Sequence, residues 1–263
     1  MMKRILCGAL AAAMIATVVP ASVSDAASVP KAKYTFSLKK ANKKVVAVAR
    51  KGDDKSKFTC KTPNTGVLPK KAKIKLKYVK FQGRKCLYLD RKSSYGAELK
   101  GIKLGKGSWT VSFWVNLDTN MGDFMSMFFT GNNIVNPLKT KWVSLTKGGS
   151  DWPAGGAVPT IWSHNAIKGT KKGSGAKATY TITKEEFPWY GYQNEDGDWQ
   201  GAGDTQDAVG VKPGKWTQVT LVVDTKDTCE YGGKGEDGYV KGYHGWTYIN
   251  GQLFGNGAVA HNT

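Results

Sequence analysis

The sequence lacks the long runs of leucine, alanine and glutamate that amphipathic helices need, apart from one apolar stretch near its amino terminus. Glycine is abundant instead, at 32 of 263 residues, and aromatic side chains make up 11% of the chain. Short apolar segments separated by Gly, Asn, Asp and Pro turns favour an all-β fold over a helical one. Such a fold can hold roughly 200 to 250 residues in one domain, so the length fits one sandwich with an N-terminal extension.

Cysteine is scarce, with four residues, and this scarcity excludes a protein held together by a dense disulfide framework. No spacing of Cys and His is typical of a zinc site either. Cys7 lies in the N-terminal apolar stretch. The rest of the chain contains an odd number of cysteines, namely Cys60, Cys86 and Cys229. A Cys60–Cys86 disulfide would close a loop of about 26 residues and stabilise the fold by roughly 3 kcal/mol. Cys229 would then stay free or pair outside the chain; the alternative is three free thiols.

The sequence also lacks the paired carboxylates of a retaining glycosidase, which stand about 5 to 5.5 Å apart and can come from alternate residues of one strand. Glu185 and Glu186 are adjacent, so on a strand they would point to opposite faces. The other neighbouring acidic residues lie among glycines and asparagines, which favour turns. None of the three histidines lies in a nucleophile or metal motif. The sequence therefore indicates a chain without a catalytic site.

The amino terminus has the features of a secretory signal peptide. Lys3 and Arg4 precede an apolar run from Ile5 to Val19, and small residues then lead to a cleavage site after Ala26. The run is shorter than the ~20 residues that span a bilayer, and no later segment has the composition to span one. We therefore expect residues 1–26 to be removed and no transmembrane segment to remain. The protein is expected to be secreted, and either extracellular or associated with the cell surface.

Acidic residues are rare in the part of the chain that follows. Residues 31–106 contain 24 Lys and Arg but 4 Asp and Glu, whereas residues 107–263 contain 13 and 15. We interpret residues 27–74 as a basic extension or linker, and we expect the Lys-rich half to attract an anionic wall polymer or an acidic polysaccharide. Nucleic acid is not an expected partner, because the chain is exported and carries no nucleic-acid-binding motif. The alternative is that the lysines are the solvated face of an edge strand.

Three segments alternate between apolar and polar residues, as strands with one buried face do. In residues 108–116 the apolar face consists of Trp109, Val111, Phe113 and Val115. Residues 214–224 place Val219, Leu221 and Val223 on one face. Residues 245–254 contain Asn250-Gly251, the pair that best fits a type I′ turn, and this predicts a hairpin.

The order and wording of these segments resemble the laminin-G-like jelly-roll domain of the concanavalin A-like lectin/glucanase superfamily. The matching segments are Trp109 to Val115, Lys215 to Asp224 and Thr247 to Leu253, with a weaker match at Leu87 to Asp90. The resemblance covers residues 75–263 and implies an all-β, two-sheet antiparallel jelly-roll sandwich. The family's closing segment does not follow the hairpin, which predicts a domain incomplete at its C-terminus and a fragment of a longer secreted protein. The fold hosts binding modules, adhesins and enzymes, so it implies less about function.

Aromatic residues outside the predicted strands are the candidates for ligand binding. Sugar rings present apolar C–H faces that stack on flat rings, while amides and carboxylates orient their hydroxyl groups. The loop from Pro188 to Gln200 offers both kinds of group. The candidate carbohydrate-binding residues are Trp152, Trp162, Trp189, Tyr190, Tyr192 and Trp199. The alternative is that these rings only cover the edges of the sandwich. The tryptophans on predicted strands are expected in the core or on an inner face: Trp109, Trp114, Trp142, Trp216 and Trp246.

The Pro188 to Gln200 loop and the residues just after it are also rich in carboxylates. Asp196, Asp198 and Asp204 can supply oxygen ligands to calcium, an ion that relatives of this fold often bind at the rim of the sandwich. The spacing is not that of an EF-hand, and a solvated turn is the alternative. Calcium is the one cofactor for which these residues are candidate ligands.

These features lead to the hypothesis of a secreted, non-catalytic carbohydrate-binding module that recognises a polysaccharide or cell-wall glycan. Two alternatives from other classes stay open. The chain could be part of a secreted glycoside hydrolase whose catalytic residues lie outside it. It could also be a structural or adhesive surface protein in which the sandwich is a spacer.

Overall fold

The computed structural model describes residues 31–49, 75–89, 95–103, 106–117, 126–132, 137–139, 141–147, 159–174, 178–191, 211–236 and 239–261. The predicted signal peptide, residues 1–26, lies outside these ranges. The described residues are nearly all strands and turns, with one 3₁₀ turn at Pro137–Lys139. Among them there is no helix with the length and hydrophobicity needed to cross a membrane.

The strands follow one another along the chain as short segments joined by turns and longer connections. Their bounds are β1 Val45–Ala49, β2 Lys77–Phe81, β3 Arg84–Tyr88, β4 Tyr95–Leu99, β5 Trp109–Val115, β6 Ser126–Asn132, β7 Lys141–Lys147, β8 Pro159–Lys172, β9 Thr179–Glu186, β10 Trp189–Tyr190, β11 Thr217–Tyr231, β12 Val240–Ile249 and β13 Gln252–Val259. This order confirms the expectation of an all-β fold.

Two larger antiparallel sheets organise the chain. Sheet I has the order β6-β7-β8, and both β9 and β10 pair with the remaining edge of β8. Sheet II has the order β5-β11-β12-β13. Two separate antiparallel ribbons join β1 to β4 and β2 to β3.

Both sheets contribute to one hydrophobic core, which is the arrangement of a β-sandwich. Its buried members come from β5, β7, β8 and β10 to β13 and from the connections beside them: Trp109, Leu117, Val143, Leu145, Ile161, Tyr190, Val211, Val219, Leu221, Val223, Ile249, Phe254 and Val259. Burying apolar area of this kind is the main favourable contribution to folding. The core therefore fixes which face of each strand is left for a ligand.

The alternation predicted for the central strands is confirmed. Trp109 is buried, and the other odd-numbered residues of β5 are partly buried and pack against the core, while its even-numbered residues are exposed. Val219, Leu221 and Val223 of β11 have no exposed surface. Asn250 and Gly251 have φ values of 48° and 90°, so the β12–β13 turn has the two left-handed residues that a type I′ turn requires.

One described strand lies within residues 27–74, which were expected to form a basic extension or linker. This strand, β1, pairs with β4 over its whole length, and the two strands form a ribbon of their own. The domain boundary at residue 74 stays a prediction.

Cys86 on β3 and Cys229 on β11 form no disulfide with each other or with another cysteine of the described residues. Burial raises the pKa of both thiols above the usual value. Cys60 lies outside the described residues, and its pairing with Cys86 stays a prediction.

Candidate functional site

The outer face of sheet I is lined by aromatic rings because of the alternation in β7 and β8. Val143, Leu145 and Ile161 have no exposed surface and face the core. Their neighbours Trp142 and Trp162 therefore point to the opposite side of the sheet, since successive side chains of a strand alternate. We call the resulting cluster the aromatic face; its members are Trp142, Trp162, His164, Phe187 and Trp189.

Trp162 on β8 and Trp189 on β10 form a stacked pair across the two strands. The two residues are directly opposite in the register, and their ring centroids lie 5.2 Å apart at an angle of 11°. The carbonyl oxygen of Pro188 accepts a hydrogen bond of 3.1 Å from the Ser163 backbone N–H, which fixes the approach of β10. Both indoles are half-buried, so each keeps part of its surface in contact with solvent.

Phe187 links this pair to the other rings. Its ring centroid is 5.7 Å from that of Trp162, 5.9 Å from that of Trp142 and 5.7 Å from that of His164. Trp142 and His164 are opposite in the register and stack at 5.8 Å. Phe187 is 44% exposed, although its ring already has three aromatic neighbours. A large apolar area therefore stays in contact with water.

One carboxylate lies at the edge of the aromatic face. Glu185 Oε2 is 2.6 Å from His164 Nε2, and the glutamate side chain is 44% exposed. His164 itself is buried, and its Nδ1 atom has no hydrogen-bond partner. The contact with Glu185 is thus the polar interaction that orients the imidazole ring, while the carboxylate keeps lone pairs free for a hydroxyl donor.

Tyr190 does not belong to the site, and its assignment as a carbohydrate-binding residue is wrong. Its side chain is 3% exposed and lies in the core, and Thr247 Oγ1 donates to its hydroxyl at 3.5 Å. Burial raises the pKa of the Tyr190 phenol far above its usual value. A Cβ atom at Gly257 would lie 2.6 Å from Tyr190 Cβ, so the glycine leaves the space that the ring needs. Tyr190 follows Trp189 directly and therefore takes the opposite face of β10.

The described residues bring together two of the predicted ligand-binding residues, Trp162 and Trp189, and place both on strands where loops were expected. The other candidates lie outside the described residues: Trp152, Tyr192 and Trp199 among the aromatic residues, and Asp196, Asp198 and Asp204 for calcium. Within the part of the chain that the structure describes, no group of His, Cys, Asp and Glu is arranged to hold a metal ion.

Three contributors to the aromatic face were not expected from the sequence: Trp142, His164 and Phe187. Trp142 was expected in the core or on an inner face, but it is half-buried on the outer face. The signal was present in Lys141–Lys147, where Val143 and Leu145 alternate with Trp142 and Ser144. Once the valine and leucine are assigned to the core, the tryptophan must face outward.

No protein-family model matches this chain, and neither a curated protein nor a solved structure shows significant similarity to it. The function is therefore inferred from the geometry of the chain's own residues.

Proposed function

We propose that this chain is a secreted, non-catalytic carbohydrate-binding module, built on a laminin-G-like jelly-roll sandwich, whose ligand lies on the aromatic face of sheet I. The observation that carries the proposal is the stacked Trp162–Trp189 pair with the exposed Phe187 and Glu185 beside it. Flat rings beside an oriented carboxylate match the two surfaces of a sugar, its C–H face and its hydroxyl groups.

The geometry assigns separate roles to these groups. The indoles and Phe187 provide apolar area on which a pyranose ring can stack. Glu185 can accept a hydrogen bond from a sugar hydroxyl, and His164 holds that carboxylate in place at 2.6 Å. Further contacts are expected from the candidate residues that follow Trp189 in the Pro188 to Gln200 segment, because they are its neighbours in the sequence.

The directions of two adjacent glutamates favour binding over hydrolysis at this face. Glu185 contacts His164 on the outer side of sheet I. Glu186 points away from it: Asn165 Nδ2 donates to Glu186 Oε2 at 3.0 Å, and His261 Nδ1 lies 2.9 Å from Glu186 Oε1. A retaining glycosidase needs two carboxyl groups on one side of the sugar, about 5 to 5.5 Å apart, and these two diverge.

A glycan array probed with the full chain, with and without calcium, tests the proposal. We expect binding to one class of neutral polysaccharide. Trp189→Ala should weaken that binding by roughly 1 to 3 kcal/mol, as the loss of an aromatic anchor does. Trp114→Ala is the matched control, because it removes an exposed indole from the other sheet; its affinity for the same glycan should stay unchanged.

Thermal unfolding of each variant must accompany the binding data, so that lost affinity is separated from lost structure. Equal affinity of Trp189→Ala and the unchanged chain for every bound glycan would remove the aromatic face as the site. Absence of binding to the whole array would instead favour the adhesive or spacer function.

A further inference from the structure

Arg84 forms an aromatic clamp on sheet II with two tryptophans, and we use this name for Arg84, Trp114 and Trp216. The guanidinium carbon Cζ lies 4.5 Å from the ring centroid of Trp114 and 5.6 Å from that of Trp216. Both distances are within the range of a cation–π interaction, which attracts Arg to the face of an aromatic ring. Trp114 was expected in the core or on an inner face but is 40% exposed, on the outer side of β5.

The clamp is held together by the turn of the β2–β3 hairpin. Gln82 has a φ of 44°, in the left-handed region that a residue with a side chain seldom occupies, and Gly83 follows with 77°. Gln82 Nε2 donates to the carbonyl oxygen of Gly214 at 2.7 Å, and Asn116 Nδ2 donates to Gln82 Oε1 at 3.0 Å. These two hydrogen bonds fasten the hairpin to the segments that carry Trp114 and Trp216.

No carboxylate in the described part of the chain pairs with Arg84. The histidine–carboxylate pairs are the ion pairs that the described residues show, and Arg84 takes no part in them. Residues 75–89 contain four lysines and Arg84 but no Asp or Glu, and residues 211–217 add Lys212 and Lys215, again without an acidic residue. A guanidinium held over indole rings by cation–π contacts still has its N–H donors, and these can bind another partner.

We propose that the aromatic clamp is a second binding site, specific for the uronic acid units of an acidic polysaccharide. The planar fork of Arg84 matches a carboxylate, which can accept two parallel hydrogen bonds from it. Trp114 is 40% exposed, and the ring of the same sugar can stack on the part of the indole that Arg84 leaves uncovered. The lysines of the same segments attract the neighbouring sugar units of the polysaccharide through their electric field, which is screened within about 8 Å at physiological salt.

This site is separate from the aromatic face, and it differs from the diffuse attraction expected of the Lys-rich half. Diffuse attraction depends on the number of charges, whereas the clamp depends on one guanidinium and its orientation. Two glutamine variants distinguish these cases, because each removes one positive charge. Lys80 is the matched position, because it lies on the same hairpin. Phe81 is the partner of Arg84 in the register, so these two side chains lie on one side of the hairpin. Lys80 precedes Phe81, and alternation places its side chain on the other side.

Binding of the full chain to polygalacturonate, measured by calorimetry at physiological ionic strength, tests the proposal. We expect Arg84→Gln to weaken the affinity about tenfold or more, the scale of a lost hydrogen bond to a charged group. Lys80→Gln should change it by no more than about threefold, as an exposed charge does. Arg84→Lys keeps the charge but loses the planar fork, and it should bind almost as weakly as Arg84→Gln.

Two further measurements complete the test. Trp189→Ala should bind polygalacturonate with the affinity of the wild-type chain, because Trp189 is not part of the clamp. If the aromatic face proves not to be a binding site, the proposal for the clamp is therefore unaffected. Poly(glycerol phosphate) should bind more weakly than polygalacturonate, because its phosphates carry no sugar ring to stack on Trp114. Each of three results would overturn the proposal. The first is an equal loss of affinity for polygalacturonate in Arg84→Gln and Lys80→Gln. The others are tighter binding of the phosphate polymer and no binding of polygalacturonate. Thermal unfolding of every variant confirms that it is folded.

Discussion

The outer faces of the two sheets use the same kind of side chain in opposite electrostatic settings. On sheet I the Trp162–Trp189 pair lies near Glu185, an exposed carboxylate. On sheet II Trp114 lies beneath Arg84, in a region of the described chain that is rich in lysine. Under the two proposals above, the indole on each face recognises the shape of a sugar, and the charged group beside it decides which sugar is accepted. One small sandwich would then offer a site for a neutral glycan and another for an acidic one.

The outer faces of sheets I and II belong to sheets that share one core. Removing a central core residue should therefore disrupt both faces. We expect Tyr190→Ala to lower the free energy of unfolding by about 3 to 5 kcal/mol, because it leaves a large cavity between the sheets. Trp189→Ala, one residue away on the outer side, should lower it by less than about 2 kcal/mol. Urea denaturation of both variants gives the values. If Tyr190→Ala were as stable as Trp189→Ala, the placement of Tyr190 in the core, and with it the division into two faces, would be wrong.

The contact between the sheets can be disturbed more gently at Gly257. A methyl group there would lie 2.6 Å from Tyr190 Cβ and 2.7 Å from Tyr190 Cγ, so the β13 edge of sheet II would have to move away from β10. We expect Gly257→Ala to lower the free energy of unfolding by about 1 to 3 kcal/mol, the usual cost of overpacking. Gly107→Ala is the control, because a methyl group at that position meets no atom within 4 Å. Equal midpoints of thermal unfolding for the two variants would contradict this contact.

The smallest effect is expected in sheet II at the end of the β5–β11 pairing that lies away from the aromatic clamp. The Asp224 carboxylate accepts hydrogen bonds from Ser108 Oγ at 2.5 Å and from the backbone N–H of Lys226 at 2.9 Å, and they lower its pKa from 3.8. A carboxyl group with a lowered pKa in the folded state stabilises the protein above the unfolded value and loses this contribution as the pH falls through the folded value. Acidification should therefore weaken this end of the sheet.

Ser108→Ala removes the largest cause of that shift. The variant should unfold at a lower temperature than the unchanged chain at neutral pH, and the difference should shrink once the pH is well below 3.8. Ser174→Ala, at an exposed serine on the turn after β8, is the matched control and should show no such dependence on pH. A difference for Ser108→Ala that stays constant over this range would show that Asp224 is not the group responsible.

Local patterns in the sequence predicted the parts of the fold that depend on neighbouring residues. The alternation in β5 and β11 and the turn at Asn250-Gly251 are of this kind, because one buried face or one pair of φ angles determines them. Trp162 and Trp189 were expected in loops, since glycine and proline surround them, and their pairing depends on strands that are distant in sequence. Tyr190 could not be assigned to a face, because a strand of two residues has no period to read.

The aromatic clamp could not be predicted for a different reason. Its residues come from three separate segments, and the sequence contains no local signal that joins Arg84 to Trp114 and Trp216. The uneven distribution of charge predicted an anionic partner for the Lys-rich half of the chain. What it could not indicate is that one arginine of that half is placed on two rings supplied by the second half.

The hydrogen bond from Gln82 to Gly214 has a consequence for the order in which the chain folds. It joins residues 132 positions apart, so the loop it closes spans half of the protein. Contacts of such long sequence separation form only after the entropy of closing the loop is offset by structure inside it. The β2–β3 hairpin should therefore dock after β11 has joined β5, in one of the last steps of folding. An acidic polysaccharide would then meet a complete binding site only on a chain that has finished folding.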